Sequence, residues 1–254
     1  MIGSFSLDGV SSETFSIVSK SVKRPLLPAM KVKRLNINGV SGAYDFGDDE
    51  YSLRTITMKI AYIGTSYEEL RSRARTIAAW LSTPTWKQLI INDETDKYYL
   101  VKITSEVDLK SLFELGRADV KFDCQPFALS VTGQTEEWSI TAGDTLNFVN
   151  PGTRRINYKS PEGSTSLLTI DGSFTTLTVT LGDETLTFED AVSSKVITIN
   201  SIDMEIEKDS VNIFNDVTGD IDSFLTIQPG SNDLIIGGTG INVDITLEYI
   251  PLWL

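Results

Sequence analysis

Ser66-Tyr67-Glu68-Glu69-Leu70-Arg71-Ser72-Arg73-Ala74-Arg75-Thr76-Ile77-Ala78-Ala79-Trp80-Leu81-Ser82-Thr83-Pro84 is the one stretch of this 254-residue chain that reads clearly as a helix. Ser66 and Glu69 stand at capping-box spacing, where the serine oxygen accepts from the third amide and the glutamate reaches back. Tyr67, Leu70, Ala74, Ile77 and Leu81 follow at spacings of 3, 4, 3 and 4, which puts them on one face. Pro84 ends the pattern. The spacing predicts a helix over 66–82, packed on a sheet, with Arg71, Arg73 and Arg75 on its outer face.

Strand signals surround it. Leu53 to Tyr62 alternates apolar and polar residues, as a half-buried strand does. Lys87 to Ile91, a turn over Asn92–Asp96, and Lys97 to Ile103 read as a hairpin. Arg117 to Ala128 gives a further strand. Upstream, Val32 to Asn38 alternates loosely, and Val40 to Glu50 is rich in Gly and acids, like a hairpin tip. After Gly133 no helical pattern recurs. Thr, Ile, Val and Leu alternate, and Asp171-Gly172, Gly182-Asp183 and Gly219-Asp220 mark turns, the pattern of a sandwich or barrel. The expected fold is mainly β, with a domain over 1–133 holding the helix and a long hairpin, and a second over 134–254.

Composition narrows the chemistry. There is no histidine, so Ser-His-Asp and Cys-His nucleophilic systems are excluded. Cys124 is the only cysteine and cannot form an intrachain disulfide; in a strand it reads as a small buried hydrophobe. A net charge of −13 opposes general binding to a phosphate backbone. The charge is uneven: Lys20, Lys23, Arg24, Lys31, Lys33 and Arg34 form a basic run without an acid. The start of the chain lacks the pattern of a secretory signal, so synthesis and assembly in a cytosol are expected.

Other constellations read as ordinary surface. Glu184 with Glu189, and Asp203 with Glu205 on one strand face, have the residue type for paired-acid hydrolysis, but no context singles them out. Asp45, Asp48, Asp49 and Glu50 offer oxygen ligands for Ca²⁺ without the spacing of a calcium loop. Gly237-Gly238-Thr239-Gly240 lacks the following Lys-Ser/Thr of a phosphate loop and reads as a turn between late strands. Trp80, Trp86, Trp138 and Trp253 could stack on sugars, but packing is the simpler role. No catalytic, cofactor-binding or metal-binding residue is assigned. A carbohydrate-binding module and a carboxylate glycosidase remain the alternative readings.

The order of these parts resembles one family, the distal tail proteins (Dit) of long, non-contractile-tailed bacteriophages of Gram-positive hosts. The resemblance runs through Ile2 to Val10, the helix to Leu81, Trp86 to Ile91, Tyr98 to Val101 and Val120 to Ala128. It continues through Asn150-Pro151-Gly152-Thr153, Leu168 to Ser173, the turn Ile227 to Leu234, and Leu247 to Leu254. It implies a structural virion protein in a hexameric ring at the far end of the tail, with a central channel for DNA. The N-terminal domains would build the ring and galectin-like β-sandwiches would project outward. The implied partners are the tail tube protein, a tip or fibre protein and a tape measure protein. No insertion long enough for a receptor-binding arm is present. On this reading Asn36, Tyr44, Phe46, Tyr51 and Arg54, in and beside a hairpin over Asn36–Arg54, are expected at a subunit interface. Arg71, Arg73 and Arg75 are expected to face a partner.

Overall fold

The computed structural model describes residues 3–46, 50–64, 66–106 and 118–254. The chain divides into two compact units, residues 1–128 with Leu254, and residues 129–253.

The first unit is built on one antiparallel sheet. Its strands are β1 (Phe5–Leu7), β2 (Val10–Ser11), β3 (Ile17–Lys23), β6 (Arg54–Tyr62), β7 (Lys87–Ile91), β8 (Glu94–Ile103) and β9 (Ala118–Cys124). They run in the order β2-β1-β7-β8-β9-β6-β3. Gly3 and Ser19 exchange backbone hydrogen bonds of 2.9 and 2.7 Å, so the far strand returns to the lead-in of β1. The sheet therefore curls toward a barrel, with β2 left, among the described residues, as an end strand paired only to β1. Alternation fills its interior: Ile56, Met58 and Ile60 of β6 lie opposite Phe122, Val120 and Ala118 of β9, and all six are buried. The turn between β7 and β8 is only Asn92-Asp93, with Ile91 paired to Glu94, shorter than the five residues read from sequence. A two-residue loop matches strand twist, so the polar residues after it join the ladder.

Helix α1 (Tyr67–Leu81) forms where the sequence places it. The Ser66 hydroxyl accepts from the Glu69 amide at 3.1 Å. Leu70, Ile77, Trp80 and Leu81 are buried, whereas Tyr67 is exposed and Ala74 half-buried. The buried stripe is rotated from the expected one because Trp80 enters an aromatic stack. Its ring lies 5.5 Å from Phe5 and 4.7 Å from Phe15, and its indole N–H donates to the Leu7 carbonyl.

Between β3 and β6 the chain leaves the barrel as a separate two-stranded ribbon, β4 (Arg34–Leu35) with β5 (Tyr44–Asp45). The ribbon reaches further toward the barrel than the sequence predicts. Met30 bridges Tyr51, Lys31 donates to Glu50, and Ser52 donates to Ala29. The prolines at 25 and 28 start this arm, since neither can donate to a ladder.

A short strand β10 (Ala128–Ser130) follows in sequence. The second unit is two antiparallel sheets facing each other. One orders β11 (Gln134–Ile140), β21 (Asn242–Tyr249), β13 (Ser166–Phe174), β16 (Val192–Asn200), β17 (Glu205–Lys208) and β18 (Val211–Asn212). The other orders β12 (Asp144–Asn150), β20 (Gly230–Thr239), β14 (Thr176–Leu181), β15 (Glu184–Phe188) and β19 (Val217–Gly219). Phe148 of one sheet packs between Trp138 and Tyr249 of the other, and the Tyr249 hydroxyl donates to the Val149 carbonyl at 3.0 Å. The last strand, β22 (Leu252–Trp253), lies near Ser130, whose hydroxyl accepts from the Trp253 indole at 2.9 Å.

One expected turn is strand instead, and a second lies one to three residues further on, since Gly240 does sit between β20 and β21. Gly172 sits inside β13 at a bulge, and Gly237 and Gly238 lie inside β20. A β-carbon on Gly172 would stand 2.3 Å from the Asn242 carbonyl oxygen, and one on Gly238 would stand 2.1 Å from that of Thr176. These glycines mark close backbone approach rather than chain reversal. Asp203, expected on a strand face with Glu205, lies in the turn before β17. The Asn200 side chain holds that turn by accepting from the Ile202 and Asp203 amides.

Candidate assembly surface

Among the described residues of the first unit, the arm contributes least to the core. Every described side chain from Ala29 to Glu50 is exposed. Many are large and apolar: Leu26 is 87% exposed, Leu27 62%, Phe46 61% and Tyr44 55%, with Met30, Val32, Leu35, Ile37, Val40 and Leu53 also open. An isolated two-stranded ribbon is marginal in water, and exposed apolar side chains on it add no core. A clustered apolar surface of this kind marks an interaction site. The same ribbon carries Lys31, Lys33 and Arg34, in a chain of net charge −13.

The expected interface residues fall in two environments. Asn36, Tyr44 and Phe46 are exposed on the arm. Tyr51 is half-buried, its ring 5.4 Å from Phe127 and edge-on to it. Arg54 departs from the expectation of a surface residue. It is 3% exposed and faces inward from β6 opposite Cys124. The alternation that turns Ile56, Met58 and Ile60 inward turns Arg54 inward as well. Asp48 and Asp49, two of the four acids weighed as calcium ligands, lie outside the described residues.

Arg54 belongs to a cluster at the arm's root that sequence reading missed. Its guanidinium lies 5.4 Å from the centre of the Tyr99 ring, and that of Arg24 lies 5.9 Å from the same centre. Arg24 donates to Glu94 at 2.8 Å and to Asp93 at 3.4 Å. Burial pushes Arg54 below its ordinary pKa, with the nearby Arg24 charge adding to the effect. Tyr99 and Tyr98 are both pushed up by burial. The signal was present as Arg24 and Arg54 flanking the arm, but only folding brings Tyr99 between them.

On α1, Arg71, Arg73 and Arg75 are exposed. Arg73 pairs with Glu69 at 3.2 Å. Arg75 stands at a cavity of about 630 Å³ lined by Ala74, Ile77, Leu81, Pro84 and Ile103.

Among the described residues no cluster of three or more Cys, Asp and Glu is placed to hold a metal ion. Burial raises the Glu184 carboxyl, and a hydrogen bond from Thr226 opposes that shift. The tryptophans are engaged in packing: Trp80 in the barrel stack, Trp86 beneath the Lys102 ammonium at 4.8 Å, Trp138 against Phe148, and Trp253 on Ser130.

Residues 10–124 match the family model of the phage tail protein RIFT-related domain. The matched residues lie within the first unit. No curated protein matches the sequence. Among solved structures, the crystal structure of SPP1 Dit superposes over 100% of both chains with a TM-score of 0.73 at 14% identity. The chain has the Dit fold. SPP1 Dit is described as a paradigm of the hub adsorption apparatus in phages that infect Gram-positive bacteria. A weaker likeness, with a TM-score of 0.44 at 13% identity over 98% of both chains, is to the phage p2 baseplate in its activated conformation with Sr.

Proposed function

We propose that this chain is a structural protein of a phage virion, forming a hexameric ring at the distal end of a long tail. The ring joins the tail tube to the tip and adsorption apparatus, and DNA passes through its centre. The observation that carries the reading is the arm, a ribbon with apolar residues open to solvent on a chain of Dit fold. A second copy supplies what the ribbon lacks, an apolar surface to cover Leu35, Tyr44 and Phe46. A heterologous contact of this sort, repeated by rotation, closes a ring. The acidic surplus suits a lumen that DNA crosses without sticking, because like charges repel. The exposed arginines of α1, of which Arg73 is paired with Glu69, then face the tube, a tip or fibre protein, or the tape measure protein.

Negative-stain imaging with native mass measurement tests this. Open six-fold rings are expected. Deleting Ser41–Glu50 is expected to leave a folded monomer that no longer assembles. Rings retained after that deletion would sink the arm's role. Neutralising acids at the ring lumen is expected to slow DNA ejection from the assembled virion, and unchanged ejection would count against a charged channel.

A further inference from the structure

The arm leaves the barrel at Arg24, immediately after β3, and returns at Arg54, the first residue of β6. Both guanidiniums converge on one ring, Tyr99 of β8. Two cations on one ring repel each other, and the Arg24 charge does act against Arg54. Three groups offset that repulsion: the Tyr99 ring, Glu94 and Asp93. The two carboxylates reach Arg24, and Lys97 competes for Glu94 at 3.2 Å. Arg54 is held differently. Its Nε and Nη2 have no hydrogen-bond partner although the residue is buried. The ring face is therefore the chief attraction on the returning limb, by the cation–π effect, which strengthens when the pair is desolvated.

We propose that Arg24, Tyr99 and Arg54 form a clasp that fixes the direction in which the arm leaves the barrel, with Tyr99 the positioning residue. Beyond this root the described side chains from Ala29 to Glu50 are open to solvent, and Tyr51 packs on Phe127 where the arm returns. A ribbon that must find a neighbouring copy gains from being aimed in advance, because less orientational freedom is lost on docking. The clasp supplies this aim from the barrel wall, and its consequence for assembly rests on the ring reading above.

The test reads arm direction separately from assembly. Spin labels at Ser41→Cys on the arm and Asp119→Cys on the barrel report the distance between them in protein diluted until native mass shows monomers alone; Cys124 is buried and takes no label. The parent and Tyr99→Phe, which keeps the ring, are expected to give one narrow distance peak. Tyr99→Leu and Arg24→Met are expected to lose that peak to a broad distribution, and to form fewer rings by native mass. A narrow peak retained in folded Tyr99→Leu overturns the clasp. If that variant does not fold, Arg24→Met decides in the same way. A parent that forms no rings refutes the assembly reading, while the distance distributions still judge the clasp.

Discussion

Arg54 and Cys124 stand opposite each other across the β6–β9 ladder, and both side chains face the barrel interior. A buried guanidinium without a carboxylate is costly, because desolvation removes more than a neighbouring ring returns. Arg54→Met keeps most of the volume and removes the charge. It is expected to leave stability unchanged or to raise it by about 1–4 kcal/mol, the opposite sign to an ordinary core substitution. Chemical denaturation checks this, and a clear loss of stability would show that Arg54 has a stronger partner than Tyr99. The place of such a residue at the arm's root fits a role in aiming the arm rather than in holding the barrel together.

At the scale of elements, α1 shows how local signals and packing share the work. Ser66 caps the first turn through the Glu69 amide, and Arg73 pairs with Glu69 one turn later. Ser66→Ala is expected to cost about 1 kcal/mol, read as a lower thermal midpoint without loss of fold. The helix boundaries were legible because capping and apolar spacing are local. Which face becomes buried was less so: Tyr67 is exposed and Trp80 buried, because the barrel's Phe5 and Phe15 select the indole. The arm shows the same division. Its hairpin character was legible in the Gly-rich tip, but its full extent depends on rungs at Lys31 and Ser52 that form only when the two limbs meet. The glycines of β13 and β20 were misread as turns because dipeptide signals do not reveal a neighbouring strand's carbonyl.

At the scale of the whole molecule, two buried groups among the described residues, one in each unit, hold their protons to about pH 12. Burial pushes the Cys124 thiol from 9.0 up to about 12 in the first unit. It pushes the Tyr249 hydroxyl from 10.0 up to about 12 in the second. Unfolded, these groups release their protons near the ordinary values; folded, they hold them to about 12. The unfolded state thus binds fewer protons across this window, so stability falls as pH rises, by about 1.4 kcal/mol per pH unit for each group. The thermal midpoint is expected to show no loss from these two groups below pH 9 and to decline progressively above it. Circular-dichroism melts between pH 7 and 11 check this, and an undiminished midpoint up to pH 11 would mean that both side chains ionise without unfolding.

By itself, the sequence determined what is local or global in composition: a β-rich chain, one capped helix, no histidine chemistry, a surplus of acid, a basic run over Lys20–Arg34 and a hairpin with a Gly-rich, acidic tip. Such features follow from residue type and short-range spacing, which no distant contact alters. Tertiary structure alone decided the closure of the barrel through Gly3 and Ser19, the inward burial of Arg54, and the meeting of Arg24, Tyr99 and Arg54. Each of these joins residues far apart in the chain, and their proximity is set by strand order and register, which periodicity alone does not encode.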